Sequence, residues 1–288
     1  MLDVLSGATL NINGASGNVV TITANGTPSP GAWYGLRIYG TAVMSYASIQ
    51  YAQYGVLGYN GASLTIQNST LSNNSQAGVY LSNAGASISG CTMQSNTELN
   101  AVYVVWYEYS GGNLSVTNST ISSNGNGGGN DGGIFVQMYD DGWNGNHGNR
   151  TGTVTITGNT INSNNYNGIY LYSYVNDYNT PGTTLINATV SNNTIGSNTN
   201  YGLRFNASGY NTSMATRISA TVNGNTIQNH TGANDAGIYS VSNASDTRGQ
   251  IAIVGSGNII TGNYFGIYQN NSYFENITLT EGTISGNT

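Results

Sequence analysis

The chain has 288 residues, a formal net charge of −6 and 6% charged side chains; its only strong cations are five arginines, and lysine does not occur. Such a surface cannot neutralise a phosphate backbone, which excludes nucleic acid as a partner. No apolar run approaches the roughly 20 residues of a membrane-spanning helix, so membrane insertion is not expected, and the apolar residues keep too regular a register for a disordered chain.

The chain opens on Ala8-Thr9-Leu10-Asn11-Ile12 and Val19-Val20-Thr21-Ile22, two runs of strand character. Gly31-Ala32-Trp33-Tyr34-Gly35-Leu36-Arg37-Ile38 follows, and from there three phrases recur in fixed order. One is Gly-apolar-Tyr-apolar, as in Gly78-Val79-Tyr80-Leu81, Gly133-Ile134-Phe135-Val136 and Gly168-Ile169-Tyr170-Leu171. The next has apolar residues two apart, as in Leu64/Ile66, Leu114/Val116, Val154/Ile156 and Ala220/Val222. The last joins a small residue, an apolar anchor and, three residues on, an asparagine: Thr70-Leu71 to Asn74, Thr120-Ile121 to Asn124, Thr160-Ile161 to Asn164. The anchors Ile49, Leu71 and Met93 are 22 residues apart, which sets the bare unit, and Ile121, Ile161, Ile195, Ile227, Ile260 and Ile284 continue the series at longer intervals.

Three strands and three turns fill such a unit, and each copy must lie on the one before at the strand spacing of about 4.8 Å. The expected fold is all-β: a right-handed single-stranded parallel β-helix, three short strands per rung and about ten rungs, in one domain over residues 1–288. Inward apolar residues then stack in columns, and the turn asparagines stack as an amide ladder and tolerate left-handed φ. His230 breaks that ladder and reads as a substitution in a turn rather than a functional imidazole. Cys91, the only cysteine, reads as an inert packed thiol beside Ser69 and Ser119 in its column. No capping helix is evident at either end. A piece of a longer chain, or end-to-end self-association of copies, is expected to cover the open rungs.

The three phrases, with Val19–Ile22 and Gly31–Ile38, resemble the β-helix repeat regions of secreted and surface proteins in the pectin-lyase-like superfamily. That resemblance implies an architecture shared by polysaccharide lyases, galacturonan hydrolases, tailspikes and non-catalytic adhesins, and leaves the activity open. The galacturonan-hydrolase signature is not met: Asp140-Asp141, Asn146-His147-Gly148 and Arg150 fall in one loop, and Arg-x-Lys is impossible without lysine. An extracellular or cell-surface location suits a lysine-free solenoid rich in Asn, Thr and Tyr.

Excess length concentrates at one edge of the coil, with enlarged loops expected at about 105–113, 137–152, 172–183, 206–216 and 240–249. Beside them the residue between two inward positions must point out, which gives an outward column of Leu57, Tyr80, Tyr103, Phe135, Tyr170, Arg204, Tyr239 and Tyr268. Tyr103, Trp106, Phe135, Trp143, Tyr170, Tyr174, Arg204 and Tyr239 are the candidate ligand-binding residues. They point to a polysaccharide or cell-surface glycan lying on ring faces while polar groups bond its hydroxyls. Stacked tyrosines that merely stabilise the ladder are the competing reading. A non-catalytic stalk, fibre or adhesin segment is the favoured function. The alternative is a polysaccharide hydrolase or lyase using Glu108, Asp140, Asp141 and Asp177, since facing carboxylates about 5 Å or about 6.5–9.5 Å apart support glycoside hydrolysis. No metal site or cofactor is expected. Calcium is the lesser alternative, at Asp140–Asn146, which lacks a closing glutamate, or at Gly127–Asp131, which occurs once.

Overall fold

The computed structural model describes residues 1–107, 111–140, 148–176, 182–209, 214–244, 249–270 and 275–288. Among the described residues thirty strands form three parallel sheets of ten, and every third strand joins the same sheet. Among the described residues there is no helix. One rung is Tyr54–Tyr59 in the first sheet, Ser63–Gln67 in the second and Thr70–Ser72 in the third. The next rung, Ala77–Ser82, Gly85–Ser89 and Thr92–Gln94, pairs with it in parallel at each strand.

The apolar anchors lie one above another from Ile22 through Ile49, Leu71, Met93, Ile121, Ile161, Ile195, Ile227 and Ile260 to Ile284. All from Ile49 to Ile260 are fully buried. Each such side chain contributes about 1.5–3 kcal/mol by leaving water. Phrases far apart in sequence thus make one continuous interior.

At two of the three corners the chain leaves its strand through a residue of positive φ. Between the second and third sheets it is Asn68, Gly90, Asn118, Gly158, Asn192 or Gly224; between the third and first it is Asn73, Ser95, Ser123, Ser163, Ser197 or Asn229. Glycine adopts this conformation without steric cost, and asparagine tolerates it through local hydrogen bonding. The left-handed residue is therefore the one before the ladder asparagine, not the ladder asparagine itself. That frees the ladder residue to point inward: Asn96 Nδ2 donates to Asn124 Oδ1 at 2.8 Å, Asn124 to Asn164 at 2.9 Å and Asn164 to Asn198 at 2.9 Å. A second ladder, at the other such corner, runs through Asn159, Asn193, Asn225 and Asn258 with amide contacts of 2.9–3.0 Å. Ser69, Cys91 and Ser119 continue it downward, and the Cys91 backbone N–H donates to Ser119 Oγ at 3.1 Å. Burial pushes the Cys91 thiol up from its ordinary value.

His230 occupies an asparagine place. Its ring lies 2.8 Å through Nδ1 from Asn263 Oδ1 and 3.3 Å through Nε2 from Asn198 Nδ2. The neighbours assign the tautomer: Nδ1–H donates to the carbonyl oxygen and bare Nε2 accepts from the amide. A neutral imidazole reproduces the donor and acceptor of the amide it replaces.

The third corner is where the rungs differ. The strands flanking it lengthen from Ala77–Ser82 and Gly85–Ser89 to Asn167–Val175 and Gly182–Ser191. Much of the length expected as enlarged loops is therefore strand: 105–107, 137–140, 150–152, 172–175, 182–183, 206–209, 214–216, 240–244 and 249 all lie in strands. The first and second sheets run past the body of the coil as a ridge with its own narrow interior. Ser173 Oγ meets Thr184 Oγ1 across it at 3.0 Å, and Thr216 Oγ1 donates to Ser173 Oγ at 2.7 Å. Trp106 fills its base, fully buried, and donates from Nε1 to Ala84 O of the rung below at 3.0 Å. Only glycine fits beside that ring, because a Cβ at Gly112 or Gly152 would stand 2.2 Å from the indole.

Candidate functional site

The outer face of the first sheet carries the expected column in register: Leu57, Tyr80, Tyr103, Phe135, Tyr170, Arg204, Tyr239 and Tyr268 are successive Cα partners. Strand alternation places them there, since their neighbours Val79 and Leu81, or Ile169 and Leu171, fill the interior. The rings stack on each other. Tyr80 and Tyr103 are 5.1 Å apart with planes 7° from parallel, and Tyr103 to Phe135 and Phe135 to Tyr170 are 4.9 and 5.2 Å.

Two further outward columns, which the phrases did not reveal, flank the first. Val105, Gln137, Tyr172 and Asn206 form one, and Tyr107, Tyr139, Tyr174 and Ser208 the other. Tyr139 stacks on Tyr174 at 5.2 Å and 14°, and Tyr170 lies beside Tyr172 at 5.7 Å and 12°. The signal was present in the tyrosines two apart along Tyr170-Leu171-Tyr172-Ser173-Tyr174. Together these rings make a small second core outside the coil, with Val105, Phe135 and Tyr170 buried and Tyr103, Tyr139 and Tyr172 packed against them.

This packing decides what the face offers. Phe135, Tyr170 and Tyr239 are 0%, 2% and 8% exposed, so their ring faces meet protein rather than solvent. Tyr103 and Tyr174 are half-buried, and Tyr107 at the rim is 39% exposed. Burial pushes the Tyr103 phenol up to about 12, and burial, with Tyr239 nearby, does the same to Tyr201. The Tyr80 phenol is raised for the same reason. All three stay protonated near neutrality.

Arg204 interrupts the ring column without breaking its packing. Its guanidinium carbon stands 4.2 Å from the Tyr170 ring centre, 5.6 Å from Tyr201 and 5.8 Å from Tyr239. Nη1 donates to Gly129 O at 2.7 Å, and among the described residues no carboxylate pairs with it. A cation on three ring faces is held by their quadrupoles.

The remaining candidates separate. Trp106 points into the ridge and presents nothing to a ligand. Asp140 also points inward, is 0% exposed and accepts from Arg150 Nη2, so it belongs to the buried framework and not to an outer wall. The cause is parity: Gln137 and Tyr139 face out, and Met138 and Asp140 therefore face in. Glu108, Asp141, Trp143 and Asp177 lie outside the described residues. Asp131, at the calcium-like turn, accepts instead from the Gly128 and Asn126 backbone N–H groups at 2.8 and 3.4 Å. Among the described residues no three His, Cys, Asp or Glu side chains gather as metal ligands.

Residues 34–248 match the model of the right-handed beta helix region. The chain belongs to this β-helix family. Solved structures of a periplasmic alginate epimerase, AlgG, are similar to this chain. A double mutant is 15% identical at a TM-score of 0.49, covering 98% of this β-helix and 70% of that chain. Another AlgG structure is 10% identical at 0.44, covering 96% and 76%. A single mutant is 12% identical at 0.46, covering 86% of this β-helix, which spans about half, 51%, of that chain. No curated protein matches this β-helix in sequence.

Proposed function

We propose that the chain is an extracellular or cell-surface β-helix segment that binds a polysaccharide along the outer face of the first sheet without processing it. The observation that supports this reading is the unbroken in-register column from Tyr80 to Tyr268, flanked by the half-exposed Tyr172, Tyr174 and Tyr107. Because the rings consume one another's faces, a glycan would lie across ring edges, bonding phenol oxygens such as those of Tyr107, Tyr139 and Tyr174, which stand on successive rungs at the strand spacing of about 4.8 Å. A polymer with regularly placed hydroxyls matches such a fence.

Retention on immobilised polysaccharides, with reducing-end and unsaturated-product assays run in parallel, tests the reading on wild type and on the Tyr107→Ala/Tyr174→Leu variant. Binding weakened by about tenfold or more in the variant, with no product from wild type, is the expected result. Undiminished binding in the variant would remove the face as the site. Turnover abolished by Glu108→Gln, Asp141→Asn or Asp177→Asn would establish the hydrolase or lyase alternative instead.

A further inference from the structure

The ridge begins abruptly, and the step leaves a hollow on the second sheet, around the corner from the ring column. Rungs three and four turn that corner within a few residues, at Asn60–Ala62 and Asn83–Ala84, whereas the next rung extends its first strand to Tyr107 before returning at Asn113. At the foot of this step lies a depression of about 480 Å³, and a second of about 300 Å³ continues it over the corner, with Ala62 and Gly85 common to both. The volumes fall in the range of about 300–1,000 Å³ usual for ligand clefts. Gly85 is the reason for the depth. It takes the place in its column that Ser63 and Asn113 fill on either side, and so lowers the floor by one side chain.

The lining is uniform in chemistry. Ser63, Thr65, Ser87, Ser115, Thr153 and Thr155 supply hydroxyls, and among the described residues no charged side chain takes part. Among the described residues none of these six hydroxyls has a hydrogen-bond partner, in contrast to Thr157, which meets Ser191 Oγ at 3.1 Å. Their order comes from register: Thr65, Ser87, Ser115 and Thr155 are vertical neighbours on successive rungs. The pair Thr155/Thr157, isolated in the sequence, stands between Ser115/Thr117 and Thr189/Ser191.

We infer that this hollow is a binding site for a neutral glycan running along the coil axis. Unengaged donor–acceptor hydroxyls repeating at about 4.8 Å on a concave floor match the hydroxyls of an extended sugar chain. With no cationic side chain in the lining among the described residues, the hollow favours neutral chains over uronates and sulfated polymers. The site shares none of these residues with the ring column and does not rest on the function proposed for it.

Ligand-observed NMR and calorimetry with cellohexaose, mannohexaose, xylohexaose and hexagalacturonate test the assignment. Wild type is expected to bind at least one neutral hexasaccharide about tenfold more tightly than the galacturonate. Ser87→Tyr, which fills the hollow, and Ser115→Ala/Thr155→Val, which removes two hydroxyls without adding bulk, should each weaken that binding about tenfold, at unchanged melting temperature, while Tyr174→Leu leaves it intact. No neutral binding at about 10 mM ligand, equal binding of the galacturonate, or wild-type affinity in Ser87→Tyr would overturn the site. Ice shaping or thermal hysteresis lost in Thr155→Val, without sugar binding, would also overturn it and make the hydroxyl array a surface for ordered water. Loss of neutral binding in Tyr174→Leu alone would return the ligand to the ring face.

Discussion

Replacing His230 by asparagine should remove a specific acid lability from the fold. Burial pushes this imidazole from 6.5 down to about 4, opposed by its hydrogen bond to Asn263. The unfolded chain takes up a proton as pH falls through 6.5, whereas the folded chain resists until about 4. The stability held by the neutral ring is therefore complete above about 6.5, lost progressively down to about 4 and constant below. The shift of about 2.5 pH units, at 1.36 kcal/mol each, corresponds to about 3 kcal/mol. His230→Asn has no proton to gain and restores the amide that Asn198 and Asn263 meet elsewhere in the ladder. Urea unfolding, with refolding run to confirm equilibrium, at about pH 7.5 and about pH 4 should show wild type losing about 3 kcal/mol more than His230→Asn. Carboxylate contributions are common to both proteins and cancel in the difference. Equal losses, within about 0.5 kcal/mol, or an imidazole titrating near its ordinary value by NMR, would refute the buried neutral tautomer.

Trp106→Ala should destabilise by about 3–5 kcal/mol, read as a lower urea midpoint, because the ring fills the ridge base and nothing beside Gly112 and Gly152 can collapse into its place. Asp140→Ala takes from buried Arg150 the carboxylate it donates to and should cost about 3–5 kcal/mol, whereas Asp140→Leu/Arg150→Met should stay within about 2 kcal/mol of wild type. Neither change should alter glycan retention. Cys91→Ser should change stability by less than about 1 kcal/mol, since Ser69 and Ser119 make the equivalent bonds to Gln67 O and Thr117 O. In wild type a thiol reagent should label Cys91 only on unfolding.

What the sequence disclosed was whatever repeats. Ile121, Ile161 and Ile195 share a column, Asn124, Asn164 and Asn198 share a ladder, and Tyr103, Phe135 and Tyr170 share an outer face, because a parallel register converts recurrence in sequence into adjacency in space. The ridge was hidden because its inward positions turn polar. Ser173, Asp140 and Thr216 look like loop residues until the alternation of their neighbours is followed through them. The same parity withdrew Asp140 and Trp106 from the surface. The covering of Phe135 and Tyr170 depends on Val105 and Tyr172 one column away, a lateral relation that a vertical repeat does not encode.

Strand partners that always lie one coil apart also constrain how the molecule is made. A strand such as Thr160–Asn162 gives one hydrogen-bonding edge to Thr120–Ser122 and the opposite edge to Thr194–Gly196. Assembly is then a growth process: a costly first pair of turns, followed by additions that each close a loop of a few dozen residues onto a finished template. Because each coil contacts only its neighbours, a lesion at mid-coil should split the molecule into two separately melting halves.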